Sequence, residues 1–149
     1  TNTVGSFLNT TYLNPTNGYL TSEQVNMITD STTWYRGILP FGYGHYRLAK
    51  YTTTTGSTLA SATNAKVGLL RLGELFSAQQ DNSSDRVIYW LLTRVTSHTV
   101  KLFLIRPTGY LGTYNITDSY GIRPVMNLKS NVTITGGTGT KENPFTLSQ

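Results

Sequence analysis

The chain carries seven carboxylates, Glu23, Asp30, Glu74, Asp81, Asp85, Asp118 and Glu142, and none stands in a recognisable catalytic motif. Acid-base catalysis needs two carboxylates to converge, or one to meet a nucleophile. Glu74 falls where a strand gives way to a helix, a position at which a carboxylate serves the helix start and its dipole. Thr1 as an N-terminal nucleophile has no lysine or acid placed beside it by sequence. Asp81-Asn82-Ser83-Ser84-Asp85 offers hard oxygen ligands that could hold Ca²⁺, yet it lacks the glycine and distal glutamate of an EF-hand loop, and a solvated loop is the preferred reading. Zero cysteines remove disulfides, thiolate metal sites and cysteine nucleophiles together. The two histidines, His45 and His98, are far apart and read as surface or strand-edge residues. The expectation is a non-catalytic chain with no metal and no cofactor.

Ligand contact is better served by the aromatic residues. Trp34 and Trp90 read as core anchors, whereas Tyr43 and Tyr46 flank a glycine-rich tip and are candidates for touching a ligand. Four Asn-x-Ser/Thr sequons, at Asn9, Asn82, Asn115 and Asn131, are about what chance supplies with 11 asparagines and 26 threonines. The formal charge is +5, but the twelve Lys and Arg residues are scattered nearly one per element. Tracking phosphates needs a concentrated basic footprint, so no nucleic-acid partner is expected.

Those side chains must be positioned by a mixed set of elements. Val4, Phe7, Leu8 and Tyr12 recur at helical intervals, and Asn14, Pro15, Asn17 and Gly18 then make a turn. Thr21 and Gln24 are spaced as a capping box, with Leu20 and Val25 placed for a hydrophobic staple; Val25 and Ile28 are the expected buried positions of this second helix. Thr32 to Ile38, the Phe41-Gly42-Tyr43-Gly44 turn and His45 to Tyr51 read as a hairpin with an aromatic tip. The Thr/Ser/Gly/Ala-rich stretch from Thr52 to Asn64 reads as an exposed loop. Lys66 to Leu72 is the next strand, and Glu74-Leu75-Phe76 opens a short helix. Val87 to Leu92 is apolar on both faces, as for a central strand, and Val100 to Ile105 follows it. Ile-Arg-Pro occurs at 105–107 and 122–124, read as strands interrupted or ended by proline. Trp90 and the strand from Ile122 to Leu128 are expected in the core, and Asn131 to Thr135 supplies the final strand before Gly136-Gly137-Thr138-Gly139.

With 149 residues, 38% hydrophobic and 13% charged against an average near 25%, the chain is expected to fold as one domain over 1–149. Threonine, asparagine, glycine and tyrosine dominate its polarity, a mix favoured in strands, turns and wet surfaces, which points to a β-rich extracellular protein. The lack of cysteine suits a secreted bacterial protein. No apolar run approaches the ~20 residues of a membrane helix, so this segment is not expected to insert into a membrane. Beginning at Thr1, it reads as a processed product or a piece of a longer chain.

The stretch from Tyr120 to Leu147, YGIRPVMNLKSNVTITGGTGTKENPFTL, resembles the closing segment of a family of uncharacterised domains on Gram-positive bacterial surface proteins. Ser6-Phe7-Leu8-Asn9 with Leu20 to Ile28 is similar to that family's opening helices. Leu69-Leu70-Arg71-Leu72 with Glu74-Leu75 is similar to its strand-to-helix step, and Tyr89-Trp90-Leu91-Leu92-Thr93 to its central strand. The same steps resemble the C-type-lectin-like fold of formylglycine-generating enzymes and of phage or bacterial tropism receptors. The resemblance implies an α+β domain with two short N-terminal helices flanking antiparallel strands. A strand hairpin usually precedes the first helix in the family and is missing here, which implies a fragment or a rearranged edge. The copper-holding cysteines of the enzymes and the Glu-Pro-Asn or Gln-Pro-Asp triplet of calcium-dependent lectins are also missing, so neither property carries over. In that fold ligands are met by long connections before the last strands, which places Tyr110, Gly112, Tyr114, Asn115, Asp118 and Tyr120 at the binding face. Two functions remain: an extracellular adhesion module holding a glycan or surface protein, preferred by fold analogy, and a structural subunit of a pilus or fibre that assembles with copies of itself.

Overall fold

The computed structural model describes residues 3–35, 38–39, 41–42, 45–46, 62–77, 87–95, 100–107 and 109–149. In chain order the elements are α1 (Thr3–Asn9), a 3-10 turn (Pro15–Asn17), α2 (Ser22–Met27), β1 (Thr32–Tyr35), β2 (Ile38–Leu39), β3 (Phe41–Gly42), β4 (His45–Tyr46), β5 (Ala62–Ala65), β6 (Val67–Leu69), α3 (Leu72–Phe76), β7 (Tyr89–Val95), β8 (Lys101–Ile105), β9 (Leu111–Asn115), β10 (Pro124–Met126), β11 (Thr133–Gly136) and β12 (Thr146–Ser148). The fold is mixed, with a few short helices among sheets that are mainly antiparallel; β2 joins β7 in parallel. The chain divides into two compact units, each assembled from separated segments: 1–32, 65–67 and 126–149 in the first, 33–64 and 68–125 in the second.

In the first unit, α1 buries Leu8 and ends at Asn9, whose side-chain amide pairs with both polar backbone groups of Val67. Asn14 caps the 3-10 turn and Gly18 closes it at φ 74°, a left-handed conformation that glycine adopts without strain. The capping box of α2 is complete: the Gln24 amide donates to the Thr21 hydroxyl at 3.2 Å and the Thr21 amide to Gln24 Oε1 at 2.8 Å. Ile28 is buried as expected, but Val25 is only half-buried. Ile28 bridges Leu128 antiparallel, fixed by the Thr29 amide on the Asn127 carbonyl and the Lys129 amide on the Met27 carbonyl, both 2.9 Å. The closing segment makes the β11/β12 hairpin, so a strand follows the one expected to be last. Its Gly-Gly-Thr-Gly loop is tightly wound: the amides of Thr138 and Gly139 both donate to the Asn143 carbonyl, and Gly139 lies under the Phe145 ring, where a Cβ would come within 2.5 Å.

The second unit is organised by the sheet β2-β7-β8-β9. Alternation along a strand sends successive side chains to opposite faces. One face, Tyr89, Leu91 and Val95 with Phe103 and Ile105, packs with Leu72 and Leu75 of α3 into the core. The other carries Trp90 and Leu104, which are also buried, as a central strand covered on both sides requires. Thr93, buried, receives the Leu72 amide at 3.0 Å and so ties the first turn of α3 to β7. β1 pairs with β5 and β6 with β10. The Trp34 ring lies flat on Gly68; a Cβ there would stand 2.4 to 2.8 Å from three ring atoms.

Several expectations are corrected. β1 pairs with β5, and the described part of the strand after the aromatic tip, β4, pairs with β3. β5 occupies positions expected to be loop, because Ala-Thr-Asn-Ala has no apolar alternation to announce a strand. Val87 and Val100 lie outside the strands and are exposed. The first Ile-Arg-Pro ends β8, whereas in the second Pro124 opens β10, where a missing N–H is tolerated. The segment from Ile122 to Leu128 is half-buried or exposed rather than core.

Candidate functional site

The β8/β9 hairpin and the segment after it bring together Tyr114, Asp118 and Tyr120, part of the set expected at a binding face. Its strands pair in unbroken register from Lys101 with Asn115 to Ile105 with Leu111. The Arg106 amide donates to the Tyr110 carbonyl at 2.9 Å, and Gly109, at φ 80°, turns the chain between them. The region expected to be a long connection is therefore largely a strand, β9, followed by a tight turn in which the Asp118 amide donates to the Asn115 carbonyl. Leu-Gly-Thr-Tyr-Asn alternates as a strand should, but its two glycine and asparagine positions hide the pattern.

Gly112 and Tyr114 share one face of β9 with Leu104 of β8. The absence of a side chain at Gly112 leaves a notch: a Cβ would lie 3.2 Å from Arg106 Nε and 3.2 Å from Tyr114 Cε2. Arg106 lies down through that notch, its guanidinium donating to the Tyr114 hydroxyl and standing 5.2 Å from the ring centroid. Tyr114 meets Tyr120 edge to face, centroids 5.3 Å apart at 76°, and Tyr120 meets buried Trp90 the same way, 5.3 Å at 69°. Such tilted pairs are favoured by the ring quadrupoles.

Tyr120 is placed by backbone rather than by its own strand. The Gly121 amide donates to the Ile88 carbonyl at 2.9 Å and the Trp90 amide to the Gly121 carbonyl at 3.0 Å. A Cβ on Gly121 would sit 2.8 Å from the Ile88 oxygen, so only glycine lets the segment run this close to β7. Partial desolvation holds the Tyr120 phenol above the ordinary tyrosine range; the Tyr114 phenol and the Asp118 carboxylate add to this, and Arg106 opposes it. Like any tyrosine hydroxyl at neutral pH, that of Tyr120 can donate as well as accept.

Tyr114, Tyr120, Asp118 and Gly112 thus form one neighbourhood. Tyr110 is 72% exposed at its turn end. Asn115 alternates to the opposite face of β9 and does not join the patch. Tyr43 lies outside the described residues, and of Tyr46 only the backbone is described, as the partner of Phe41. The residue that sequence reasoning missed is Arg106, read there only as one scattered cation and one member of a repeated tripeptide. Its position one residue past a strand, four before Tyr110 in a hairpin turn, was the available signal.

The remaining candidates are accounted for elsewhere. Glu74 accepts from the Arg71 amide at 2.9 Å and from its guanidinium at 2.5 Å, so it is a helix-start carboxylate. Arg71 has no acceptor to return a bond, which leaves half a capping box. Asp30 pairs with Lys66 at 3.3 Å. Asp81 to Asp85, His98 and Thr1 lie outside the described residues. Among the described residues no three His, Asp or Glu side chains gather as metal ligands, and no helix is long and apolar enough to cross a membrane. Comparison with protein-family models, curated proteins and solved structures returns no match.

Proposed function

We propose that the chain is a non-catalytic extracellular binding module of C-type-lectin-like fold, which holds a glycan or surface protein through the Arg106–Tyr114–Tyr120 face. The observation that carries this reading is the solvent-reached row of Arg106, Tyr114 and Tyr120, anchored on buried Trp90. Tyrosine offers large contact area and a hydroxyl at little entropic cost, and Asp118 adds a directional acceptor. The lectin-like reading of the fold is supported by the order of elements, two short helices followed by mainly antiparallel strands, and by the return of Leu128 to Ile28. Replacing Tyr114 and Asp118 together by alanine should abolish glycan-array or cell binding and leave the melting temperature within a few degrees. Unchanged binding by that folded double variant refutes the site.

A second reading, a structural subunit of an extracellular filament, is favoured by the β11/β12 hairpin, which exposes Ile134, Phe145 and Leu147. Bare two-stranded ribbons are marginal alone and their open edges accept further strands. Sedimentation that rises with concentration and falls in Ile134→Lys would favour it over the binding module.

A further inference from the structure

The ligand class follows from the charge layout along β9, given the binding face proposed above. Along the backbone Arg106 stands at the turn end of β9 and Asp118 beyond its other end, but the guanidinium reaches back to the Tyr114 hydroxyl, and the Arg106 and Asp118 charges both act on the Tyr120 phenol. The guanidinium is held in place by the Tyr114 hydroxyl and ring, yet among the described residues no carboxylate pairs with it. Five N–H donors in a rigid fork, only part of them used, are an incomplete carboxylate receptor. Holding the fork in place before binding removes part of the ordering cost.

We propose that this strip recognises an acidic carbohydrate of the uronate type, its carboxylate on Arg106, its pyranose ring against Tyr120 beside Tyr114, and its hydroxyls toward Asp118. The strip sets a cation and an anion beside the same pair of rings, and so demands both a negative group and hydroxyl donors from one ligand. A simple anion would meet Arg106 but waste the tyrosines and be repelled by Asp118; a neutral sugar would use the rings and leave the guanidinium unanswered. A uronate carries an anion at one edge of a pyranose and hydroxyls at the other, which matches both. The net charge of +5 would draw such a polymer in from solution.

The test is a titration of the full chain with tetragalacturonate, with its methyl ester and with poly-glutamate, followed by calorimetry. Tetragalacturonate should bind, and the ester, which keeps the rings and hydroxyls but loses the charge, should bind at least about tenfold more weakly, the factor a lost charge-assisted hydrogen bond corresponds to. Arg106→Gln should lose affinity for the acid by a similar factor and be indifferent to esterification, while Arg106→Lys, a point charge without the fork, should recover only part. Equal binding of acid and ester would overturn the acidic-sugar inference and leave the tyrosine face standing. Poly-glutamate competing as well as the uronate would overturn it too, by showing that charge alone suffices. Failure of acid and ester alike would overturn this inference, whereas the binding face beneath it stands or falls on the Tyr114 and Asp118 double variant. The ester comparison needs no variant, so it decides the matter even where Arg106→Gln does not fold.

Discussion

Asn9 ties α1 to the buried backbone of Val67, and its removal can be costed from the hydrogen bonds it makes. Its amide donates to the Val67 carbonyl at 2.9 Å and to the Gly5 carbonyl at 3.1 Å, and accepts from the Val67 amide at 3.0 Å. Val67 is 2% exposed, so Asn9→Ala takes the side-chain partner from a buried donor and a buried acceptor. Each such loss costs about 1–3 kcal/mol, and water entering the vacated space relieves part of it, so a loss of about 2–4 kcal/mol is expected. Urea denaturation followed by tryptophan fluorescence measures it directly, and the corresponding fall in melting temperature is roughly 5–15 °C for a chain of this size. Asn9→Asp sharpens the test. It keeps an acceptor but sets a carboxylate against two carbonyls, which raises its folded pKa above the unfolded value near 3.9. That penalty is full above the raised pKa and disappears as pH falls below the unfolded one, so the variant's deficit should shrink on acidification. A loss under about 0.5 kcal/mol in Asn9→Ala, or an Asp variant whose deficit ignores pH, would show that Asn9 does not clamp Val67.

Two further outcomes are expected. The Glu74 carboxyl, raised somewhat by partial burial but lowered more by Arg71, ionises below its usual value; it therefore contributes stability above the unfolded carboxylate range that is lost as pH falls through the depressed folded value. Melting Glu74→Gln beside the parent should show the parent ahead at pH 7 and the two converging near pH 2, and a gap independent of pH would exclude the Arg71 pairing. Trp90→Ala should cost about 3–5 kcal/mol, the range for emptying a buried aromatic site, read by denaturant midpoint; a neutral result would remove Trp90 as the anchor of Tyr120.

Local signals in the chain were readable wherever one residue's chemistry decides the outcome. Thr21 with Gln24, Asn14 before Pro15, and Glu74 at the start of α3 all act within four residues, and each is found in its expected role. Pairing partners were not readable, because they depend on neighbours distant in sequence. Nothing in Ala62 to Ala65 announces a partner for β1, and nothing at Val67 names Asn9, 58 residues earlier. The site shows both cases. Tyr114 and Tyr120 attract notice by type, while Arg106 matters only because the hairpin register sets Leu104 opposite Gly112 and opens a path across the strand.

The bridge between Ile28 and Leu128 sets a schedule for synthesis. One hundred residues separate the partners, and at about 5–20 residues per second the second emerges roughly 5–20 s after the first. During that interval α2 and the Ile28 that follows it are on a growing chain without the segment around Leu128 that later bridges them. Helix–coil exchange of such a short segment takes about a microsecond or less, so α2 forms and melts many times before the bridging segment exists. The nascent chain in that window is the species a holding chaperone would meet. Circular permutants that join residue 149 to residue 1 and open the chain within 33–64 would bring the two partners to about half their present separation in synthesis, with Leu128 made first, and would shorten that exposure accordingly.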